Sequence, residues 1–312
     1  MPRRRLLAVL ALALGLAAGA TIAPAAAPRC FGAAARDRVR PCSNPTKTMV
    51  PSFDDRDVHS ISPCVEVPVR QVGIGACAFG VSAARAADTV ALVGDSHAQH
   101  WRGAMKVVAQ ALHWHGMSVT TGRCFFSAAV EHFLPDARER CTQWYRSVSG
   151  WFGDHPEVHT VFVSQNATTP VAVGPGETYF GIKFDGFRRA WTSLPKTVRH
   201  VVVIHDVPTS TNHTFDCVRD TVAAGETRPG PACPLPRSAA LTWDTAISTV
   251  RRLHSGRYRS VDLTEFFCGR RSCYLVVGGV LVNSDLDHIT GEFSRSLGPY
   301  LLRKIRRLMR SW

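Results

Sequence analysis

From Asp88 onwards, short apolar segments alternate with segments of helical pattern, and this alternation constrains the fold more than any other feature of the chain. Four of the apolar segments are rich in β-branched residues and are predicted as strands: Thr89–Val93, Met117–Thr121, Thr160–Ser164 and Val201–Ile204. Strands that alternate with helices form a parallel sheet with helices on both faces. Ligands bind beyond the carboxyl ends of such strands, so any site is expected at that edge.

The rest of this region, from residue 88 to 312, is predicted as follows. Helical patterns cover five segments: Trp101–His115, Arg138–Phe152, the later part of Gly174–Leu194, Ser238–His254 and Gly291–Met309. A further short strand is predicted at Arg259–Leu263, and Pro208–Pro236 is predicted as a long loop tied by cysteines.

The stretch around Ser96 is the first candidate for a catalytic group. The apolar run Val90–Val93 stops at Gly94, and Asp95 and Ser96 precede a helical pattern. A serine there lies at the end of a strand, close to backbone N–H groups that can stabilise a developing oxyanion. Both Asp95 and Ser96 are also good helix caps, so this stretch alone favours catalysis only slightly over capping.

A second stretch, near the C-terminus, contains the groups that would activate such a serine. Asp285 precedes His288 by three residues, just before the last helical pattern. One short loop can therefore carry both a general base and the carboxylate that fixes its tautomer. Asp287 is a rival to Asp285, although only Asp285 keeps the three-residue spacing. A solvated loop with a surface histidine is the alternative, and it fits less well when both stretches are considered together.

The pair Gly94-Asp95-Ser96-His97 and Asp285-x-x-His288 resembles the SGNH (GDSL-like) hydrolase superfamily. The likeness is strongest to the SGNH domains that are fused to, or work with, membrane acyltransferases of bacterial envelope carbohydrate O-acetylation. It runs from about Cys30 to the C-terminus and includes Thr121-Gly122-Arg123-Cys124 and His205-Asp206-Val207-Pro208. The resemblance implies a flavodoxin-like three-layer α/β/α fold with a mainly parallel sheet.

The matched residues acquire roles from this resemblance and from their chemistry. Ser96 is expected to be the nucleophile, His288 the general base, and Asp285 the carboxylate that orients His288. The backbone N–H groups of Ser96 and Gly122 and the side-chain amide of Asn166 are expected to stabilise the oxyanion. Asn166 lacks the family's usual glycine and following aspartate, and a turn role for it stays open. Gly122 can also be a plain turn residue.

Four further residues are weaker candidates for the substrate pocket: Asp95, His97, Trp101 and Asp206. His97 belongs to the motif but has no assigned proton-transfer step, so it is expected to shape the pocket. Asp95 also suits the turn itself, and Trp101 also suits the core. An aspartate shortly before Pro208 is also a good turn residue.

The chain carries a formal net charge of +13. One concentration of basic residues lies near the C-terminus: Arg303, Lys304, Arg306, Arg307 and Arg310. A basic surface suits anionic envelope polymers or lipid headgroups. Nucleic acid is the competing partner, but the sequence has no zinc-finger spacing, no RNP motif and no aromatic-interleaved basic ribbon. The resemblance implies an acylated envelope glycan or small acyl ester as substrate, an integral-membrane acyltransferase as partner, and no cofactor.

The first 27 residues have the pattern of a secretory signal. An arginine triplet precedes an apolar stretch from Leu6 to about Ala20, and small residues follow. The apolar stretch also borders on the length of a spanning helix, so an uncleaved anchor stays open. Either interpretation predicts an exported protein that is secreted, periplasmic or anchored outside the cytoplasmic membrane. Residues 28–87, rich in Pro, Cys and small residues, are predicted as an irregular extension.

Ten cysteines, an even number in an exported chain, predict disulfides. We expect five pairs of sequence neighbours: Cys30 with Cys42, Cys64 with Cys77, Cys124 with Cys141, Cys217 with Cys233, and Cys268 with Cys273. Zinc is the alternative, but no paired Cys-x-x-Cys spacing appears, so no metal is expected.

Together these features favour an exported serine O-acyl (acetyl) esterase or O-acyltransferase that acts on cell-envelope carbohydrate through an acyl-serine intermediate. Hydrolysis and transfer share this intermediate and differ in whether water or a sugar hydroxyl accepts the acyl group. The alternative from another class is a non-catalytic envelope-polymer-binding module, which the imperfect Asn166 block favours. A lipase-like enzyme ranks third because no long apolar lid pattern is present.

Overall fold

The computed structural model describes residues 30–40, 42, 44, 49–57, 64–71 and 73–312. The predicted signal or anchor at residues 1–27 lies outside these residues and stays a prediction. Within the described ranges, no helix combines the length and the apolar character that a membrane crossing requires.

Seven strands form the central sheet. They are β1 (Val65–Val67), β2 (Ala76–Gly80), β3 (Asp88–Gly94), β4 (Trp114–Thr120), β5 (Val158–Ser164), β6 (His200–Ile204) and β8 (Tyr258–Val261). The other strands make two short antiparallel pairs: β7 (Leu235–Pro236) with β9 (Ser272–Cys273), and β10 (Val276–Val277) with β11 (Val280–Leu281).

The sheet has the strand order β1-β2-β4-β3-β5-β6-β8. The five strands from β4 to β8 are parallel, and β1 and β2 add an antiparallel edge. When the five parallel strands are counted in chain order, they lie in the order 2-1-3-4-5, which is the flavodoxin-like order. This confirms the predicted α/β fold with a mainly parallel sheet.

Helices cover both faces of the sheet. The α-helices are α1 (Ser96–Gln99), α2 (Arg102–Leu112), α3 (Pro135–Asp154), α4 (Tyr179–Thr192), α5 (Asn212–Ala223), α6 (Pro229–Ala232), α7 (Arg237–Ala240), α8 (Thr245–Arg252) and α9 (Gly291–Met309). Short 3-10 helices lie at Gly32–Arg36, Ala83–Arg85 and Thr264–Phe266. One hydrophobic layer includes α2 and α9, and the other includes α3, α4 and α8.

The side chains of β3 show why the strands appear in the sequence as continuous apolar runs. Val90 and Leu92 pack into the layer with α2 and α9, whereas Ala91 and Val93 pack into the opposite layer. All four side chains are fully buried. Because successive residues of a strand point to opposite faces, a strand covered on both faces needs an apolar residue at every position.

The interpretation of residues 28–87 as irregular is wrong for β1 and β2. β2 pairs antiparallel with β4 along its whole length, and β1 pairs with β2. The ring of Phe79 occupies the space where a side chain at Gly116 would stand. These strands are short, and their position is fixed by β4 and by the Cys64–Cys77 disulfide. The alternation of apolar and polar residues within them is therefore too brief to predict a strand.

Two helix predictions also need correction at their boundaries. The helix predicted to reach His115 ends at Leu112, because His113 adopts a left-handed conformation with φ of 54° and β4 follows directly. The single helix predicted at Ser238–His254 is two helices, α7 and α8. Asp244 starts the second one by accepting hydrogen bonds from the backbone of Ala246 and Ile247.

The loop predicted at Pro208–Pro236 contains a regular helix, α5. Thr211 caps it by accepting a hydrogen bond from the backbone N–H of Thr214. The Cys217–Cys233 disulfide joins α5 to the residue after α6. The surrounding Pro, Gly and Thr residues are typical of a loop, so this twelve-residue helix was not predicted, although the sequence contains its capping residue, Thr211.

The disulfide prediction is confirmed. All five pairs join sequence neighbours: Cys30–Cys42, Cys64–Cys77, Cys124–Cys141, Cys217–Cys233 and Cys268–Cys273. No cysteine of the described chain is free. Each bridge closes a short loop. The bridges therefore restrain local segments of the chain and do not connect parts of the sheet that are distant in sequence.

Candidate active site

The candidate site lies at the carboxyl edge of the sheet, beyond the ends of β3 and β5. The chain leaves β3 towards β4 on one side, while β5 pairs with β3 on the other, so the topological switch point lies between β3 and β5. Ser96 follows β3, and Asn166 follows β5. The structure therefore brings these two predicted site residues to adjacent strand ends.

The turn that carries Ser96 depends on Gly94. This glycine has a φ of 146°, and a side chain there would collide with the carbonyl oxygen of Ser164 on β5. Only glycine combines that backbone conformation with so close an approach of two strands. Ser96 is then the first residue of α1.

Asp95 joins the turn after β3 to the loop after β5. One carboxylate oxygen accepts a hydrogen bond from the backbone N–H of His97 at 2.8 Å and caps α1. The other oxygen accepts from the backbone N–H of Asn166 at 2.9 Å. Burial raises the pKa of Asp95, while its hydrogen bonds and the nearby His97 favour the charged form. The capping role weighed for Asp95 is thus present.

Ser96, His288 and Asp285 form a continuous hydrogen-bonded line. The hydroxyl oxygen of Ser96 lies 2.7 Å from Nε2 of His288, and Nδ1 of His288 lies 2.8 Å from a carboxylate oxygen of Asp285. The carboxylate requires a proton on Nδ1, which leaves Nε2 free to accept the proton of the Ser96 hydroxyl. Asp285 itself is fixed by the backbone N–H of His288 at 2.7 Å.

The loop that carries His288 is braced at both ends. Asn283 and Ile289 form an isolated antiparallel bridge, and the backbone N–H of Ser284 donates to the carbonyl of His288 at 2.9 Å. Thr290 then caps α9 through the backbone N–H of Phe293. A loop closed in this way holds the imidazole in one orientation relative to the nucleophile turn.

Asp287 contacts three groups of the site at once. One oxygen lies 3.1 Å from Nδ1 of His288. The other accepts a hydrogen bond from the side-chain amide of Asn166 at 3.0 Å and lies 3.7 Å from Nε2 of His97. The contacts with His288 and then His97 hold the pKa of Asp287 well below its usual range. This carboxylate therefore links His288 to Asn166, the predicted oxyanion donor.

Two carboxylates thus act on one imidazole. Burial by itself would lower the pKa of His288, but the hydrogen bonds with Asp285 and Asp287 outweigh it and raise the pKa to about 9. The pKa of Asp285 is lowered, because its hydrogen bonds with His288 and the loop backbone outweigh the opposing effect of burial. The protonated form of the His288 imidazole is therefore strongly stabilised.

A buried polar layer lies beneath this triad. Nδ1 of His97 lies 2.6 Å from one oxygen of Asp206, and the other oxygen accepts from the backbone of Ala167 at 2.7 Å. Burial alone would lower the pKa of His97, but Asp206 outweighs it and raises the pKa well above the usual value. Lys183 donates to the Ala167 carbonyl at 2.7 Å, and burial lowers its pKa to about 8.

Burial corrects the prediction that four residues line the substrate pocket. Asp95, His97, Trp101 and Asp206 are all buried. Trp101 packs in the hydrophobic layer that contains α2 and α9. His97 and Asp206 support the site from below, so they shape it without presenting a surface to a ligand.

The three predicted oxyanion donors lie at three strand ends. The backbone N–H of Thr121 donates to the Gly94 carbonyl at 3.2 Å, which places the residue before Gly122 beside the nucleophile turn. The Asn166 amide donates one hydrogen to Asp287 and has a second to offer. Its oxygen accepts from the backbone N–H of Thr168 at 2.8 Å, so Asn166 also makes the turn that was left open.

Sequence reasoning missed part of this arrangement. Asp287 was visible as a rival to Asp285, but its contact with Asn166 was not considered. Nothing in the sequence indicated that Lys183 and Asp244 belong to the buried polar layer, because their positions depend on how α4 and α8 pack against the strand ends. Asp244 accepts a hydrogen bond from the backbone N–H of Asp206 at 3.2 Å, which ties α8 to the buried layer.

Among the described residues, one cluster has donor atoms close enough to bind a metal ion. Ligand atoms of His97, Asp287 and His288 lie within 4.8 Å of one another. The same imidazole contacts Ser96 through one nitrogen and Asp285 through the other. Hydrogen bonding accounts for the geometry of His288, and we assign no step to a metal.

Comparisons with known proteins give a family and a fold for the chain. The model of the family described as SGNH domain (fused to AT3 domains) matches residues 63–303. No curated protein matches the chain. Among solved structures, the chain is similar to the periplasmic domain of a lipopolysaccharide acetyltransferase from Salmonella ser. Paratyphi A, with a TM-score of 0.52 and 13% identity over 73% of this chain and 90% of that chain. At this identity the likeness shows a shared fold.

Proposed function

Because the chain belongs to the family of SGNH domains fused to AT3 domains, we propose that it is an exported serine O-acyl esterase or O-acyltransferase. Its substrate would be an acetyl or other small acyl ester of cell-envelope carbohydrate. The observation that carries the proposal is the line from Ser96 through His288 to Asp285, with contacts of 2.7 and 2.8 Å. A binding module would have no need of a serine aligned with a base in this way.

The first half of the proposed reaction transfers the acyl group to the enzyme. The Ser96 oxygen attacks the ester carbonyl carbon while its proton moves to Nε2 of His288. The C–O bond to the leaving alcohol then breaks, and His288 returns the proton to that alcohol. Asp285 stabilises the imidazolium throughout and keeps Nδ1 protonated.

The second half releases the acyl group. Water or a sugar hydroxyl attacks the acyl carbon and gives its proton to His288, and the bond to Ser96 breaks as its oxygen recovers a proton. Water gives hydrolysis, and a sugar hydroxyl gives transfer. Both tetrahedral intermediates carry an oxyanion, for which we propose the backbone N–H groups of Ser96 and Gly122 and the second amide hydrogen of Asn166.

Two observations support the envelope as the place of action. Five disulfides form among the described residues, as expected of a protein in an oxidising compartment. The Salmonella structure with the same fold is named as the periplasmic domain of a lipopolysaccharide acetyltransferase. We propose that an integral-membrane acyltransferase of the AT3 type cooperates with this domain.

The test is time-resolved mass spectrometry of the oxidised protein mixed with an activated acetyl ester. We expect one acetyl group to appear on the peptide that contains Ser96 and to be absent in Ser96→Ala. Addition of candidate envelope sugars would then separate transfer from hydrolysis, because only transfer yields an acetylated sugar. Absence of both adduct and turnover with any small ester would favour the binding-module alternative.

The raised pKa of His288 predicts an alkaline activity profile. Since His288 must be neutral to accept the Ser96 proton, kcat/KM should rise about tenfold per pH unit up to the pKa of about 9 and then level off. Initial rates with a neutral acetyl ester between pH 6 and pH 10, corrected for spontaneous hydrolysis, would measure this. A plateau reached already below pH 7 would contradict the assignment.

A further inference from the structure

An arginine-rich surface surrounds the C-terminal turns of α9. A cleft of about 730 Å³ is lined there by five arginines: Arg40, Arg303, Arg306, Arg307 and Arg310. An adjoining cleft of about 160 Å³ adds three more basic residues: Arg36, Arg38 and Lys304. We call these eight residues the arginine face.

Most of this positive charge has no described carboxylate as an ion-pair partner. Asp37 and Glu265 are the carboxylates that line the two clefts, and they pair with Arg303 at 3.3 Å and Lys304 at 2.9 Å. Four exposed arginines make no ion pair with a described carboxylate: Arg40, Arg306, Arg307 and Arg310. Such a surface attracts anions and has capacity left to bind them.

The arginine face is separate from the candidate active site. α9 begins at Gly291, three residues after His288. Arg303 and Arg307 are twelve and sixteen residues further along the helix, so they lie about 18 and 24 Å along its axis at 1.5 Å per residue. An anion bound among these arginines cannot reach Ser96, so this surface needs a function of its own.

The chain enters the described structure beside this face. Cys30 is joined to Cys42, which lines the larger cleft, and the backbone N–H of Ala33 donates to Ser296 of α9 at 3.0 Å. The apolar stretch that ends near Ala20 is only ten residues before Cys30. Even a fully extended connection of that length spans only about 35 Å. If that stretch enters a membrane, the arginine face is held near the bilayer surface.

Apolar side chains are exposed among the cations. Val39 is 77% exposed between Arg38 and Arg40, and Met309 is 36% exposed next to Arg310. Cations interspersed with exposed apolar groups are typical of surfaces that lie on the headgroup region of a bilayer. Arginine also suits lipid phosphate groups, because its guanidinium can make two parallel hydrogen bonds to them.

We propose that the arginine face docks on the anionic headgroups of a phospholipid bilayer. The opposite end of α9 then directs Ser96 and His288 away from the membrane, towards carbohydrate that extends from the surface. The proposal does not depend on catalysis by Ser96, and it holds whether the N-terminal segment is cleaved or retained. It concerns only what the arginines bind.

The test is arginine footprinting of the full chain with phenylglyoxal, read out by peptide mass spectrometry. The protein is mixed with vesicles of phosphatidylcholine alone or of phosphatidylcholine with phosphatidylglycerol. We expect modification of Arg306, Arg307 and Arg310 to slow about fivefold or more with the anionic vesicles, as follows from the attraction of each arginine to an anionic surface. This readout works even if the apolar segment alone anchors the protein to both vesicles.

Control arginines lie on the other face of the sheet. Arg140 and Arg146 of α3 and Arg189 of α4 are exposed, and their modification should be the same with both vesicles. The triple variant Arg306→Gln/Arg307→Gln/Arg310→Gln should lose about a hundredfold of the preference for anionic vesicles in flotation, whereas the triple Gln variant of the controls should keep it. High salt should abolish the preference of the native chain.

Two results would overturn the proposal. The first is equal modification of Arg306, Arg307 and Arg310 with neutral and anionic vesicles. The second is protection of these arginines by a soluble anionic polysaccharide and not by anionic vesicles, which would assign the face to a glycopolymer. Equal melting temperatures of the variants and the native chain would show that lost binding does not reflect unfolding.

Discussion

Replacement of Ser96 by alanine should lower kcat for ester cleavage by roughly 10⁴- to 10⁶-fold, the range found when a serine nucleophile is removed from such a triad. The hydroxyl has one described partner, Nε2 of His288 at 2.7 Å, and no other described hydroxyl is aligned with this base. Without it no acyl-enzyme can form. The residual rate would come from water activated by His288 and from the oxyanion donors. Steady-state rates with an activated acetyl ester measure the effect.

The same variant should fold normally. Ser96 is the first residue of α1, but the cap is supplied by Asp95, and the Ser96 side chain is only half-buried. Loss of its hydroxyl should therefore change the free energy of unfolding by no more than about 1 kcal/mol. Ser149→Ala, which removes a half-buried hydroxyl bonded to the Tyr145 carbonyl on α3, is a matched control that should keep full activity. A large loss of stability with retained turnover would make Ser96 structural.

The predictable parts of the fold are those determined by residues that are close together in the sequence. The middle parts of β3, β5 and β6 are buried on both faces, so uninterrupted apolar runs appear there: Val90–Val93, Val161–Val163 and Val201–Ile204. The nucleophile turn requires a glycine for its backbone and a capping aspartate for its helix, and both stand next to Ser96 in the sequence. The three-residue spacing of Asp285 and His288 is likewise contained within one loop.

The parts that were not predictable depend on distant partners. β2 is a strand because β4 offers it an open edge, and α5 is a helix in a segment whose composition is that of a loop. Lys183 has an ordinary helical environment in the sequence, yet α4 places its ammonium group against the Ala167 carbonyl beneath the site. Such contacts arise only when the layers pack.

The buried His97–Asp206 pair also depends on how the layers pack. Both residues stand in motifs beside strand ends, which favoured a substrate pocket. The loop after β5 is partly buried beneath the triad, however, and its backbone N–H groups need hydrogen-bond acceptors. Asp206 supplies them by accepting from Ala167 and from the ring of His97. Residues near a strand end can therefore support a site without facing the ligand.

The two carboxylates beside His288 should be separable by mutation. Asp285→Asn should lower kcat by roughly 10⁴-fold, because an amide cannot hold the proton on Nδ1 and the imidazole would adopt the wrong tautomer. Asp285 is favoured as the main partner since it lies 2.8 Å from Nδ1, against 3.1 Å for Asp287, and is fixed by backbone hydrogen bonds.

Asp287→Asn should cost less in kcat, by about a hundredfold, and for a different reason. Its carboxylate holds the Asn166 amide at 3.0 Å, and loss of one oriented oxyanion donor has an effect of roughly this size. KM should change little, because the amide acts on the transition state. The pKa of His288 should also fall from about 9, since one of the two carboxylates that raise it is gone.

A pH profile distinguishes these roles. In Asp287→Asn the rise of kcat/KM should move to lower pH, so that the loss of activity is smaller below pH 7 than above pH 9. Asn166→Ala should reproduce the loss of kcat without the shift of the profile, because it leaves both carboxylates on His288. If Asp287→Asn were more damaging than Asp285→Asn, the three-residue spacing would have identified the wrong partner, and Asp287 would be the residue that orients the base.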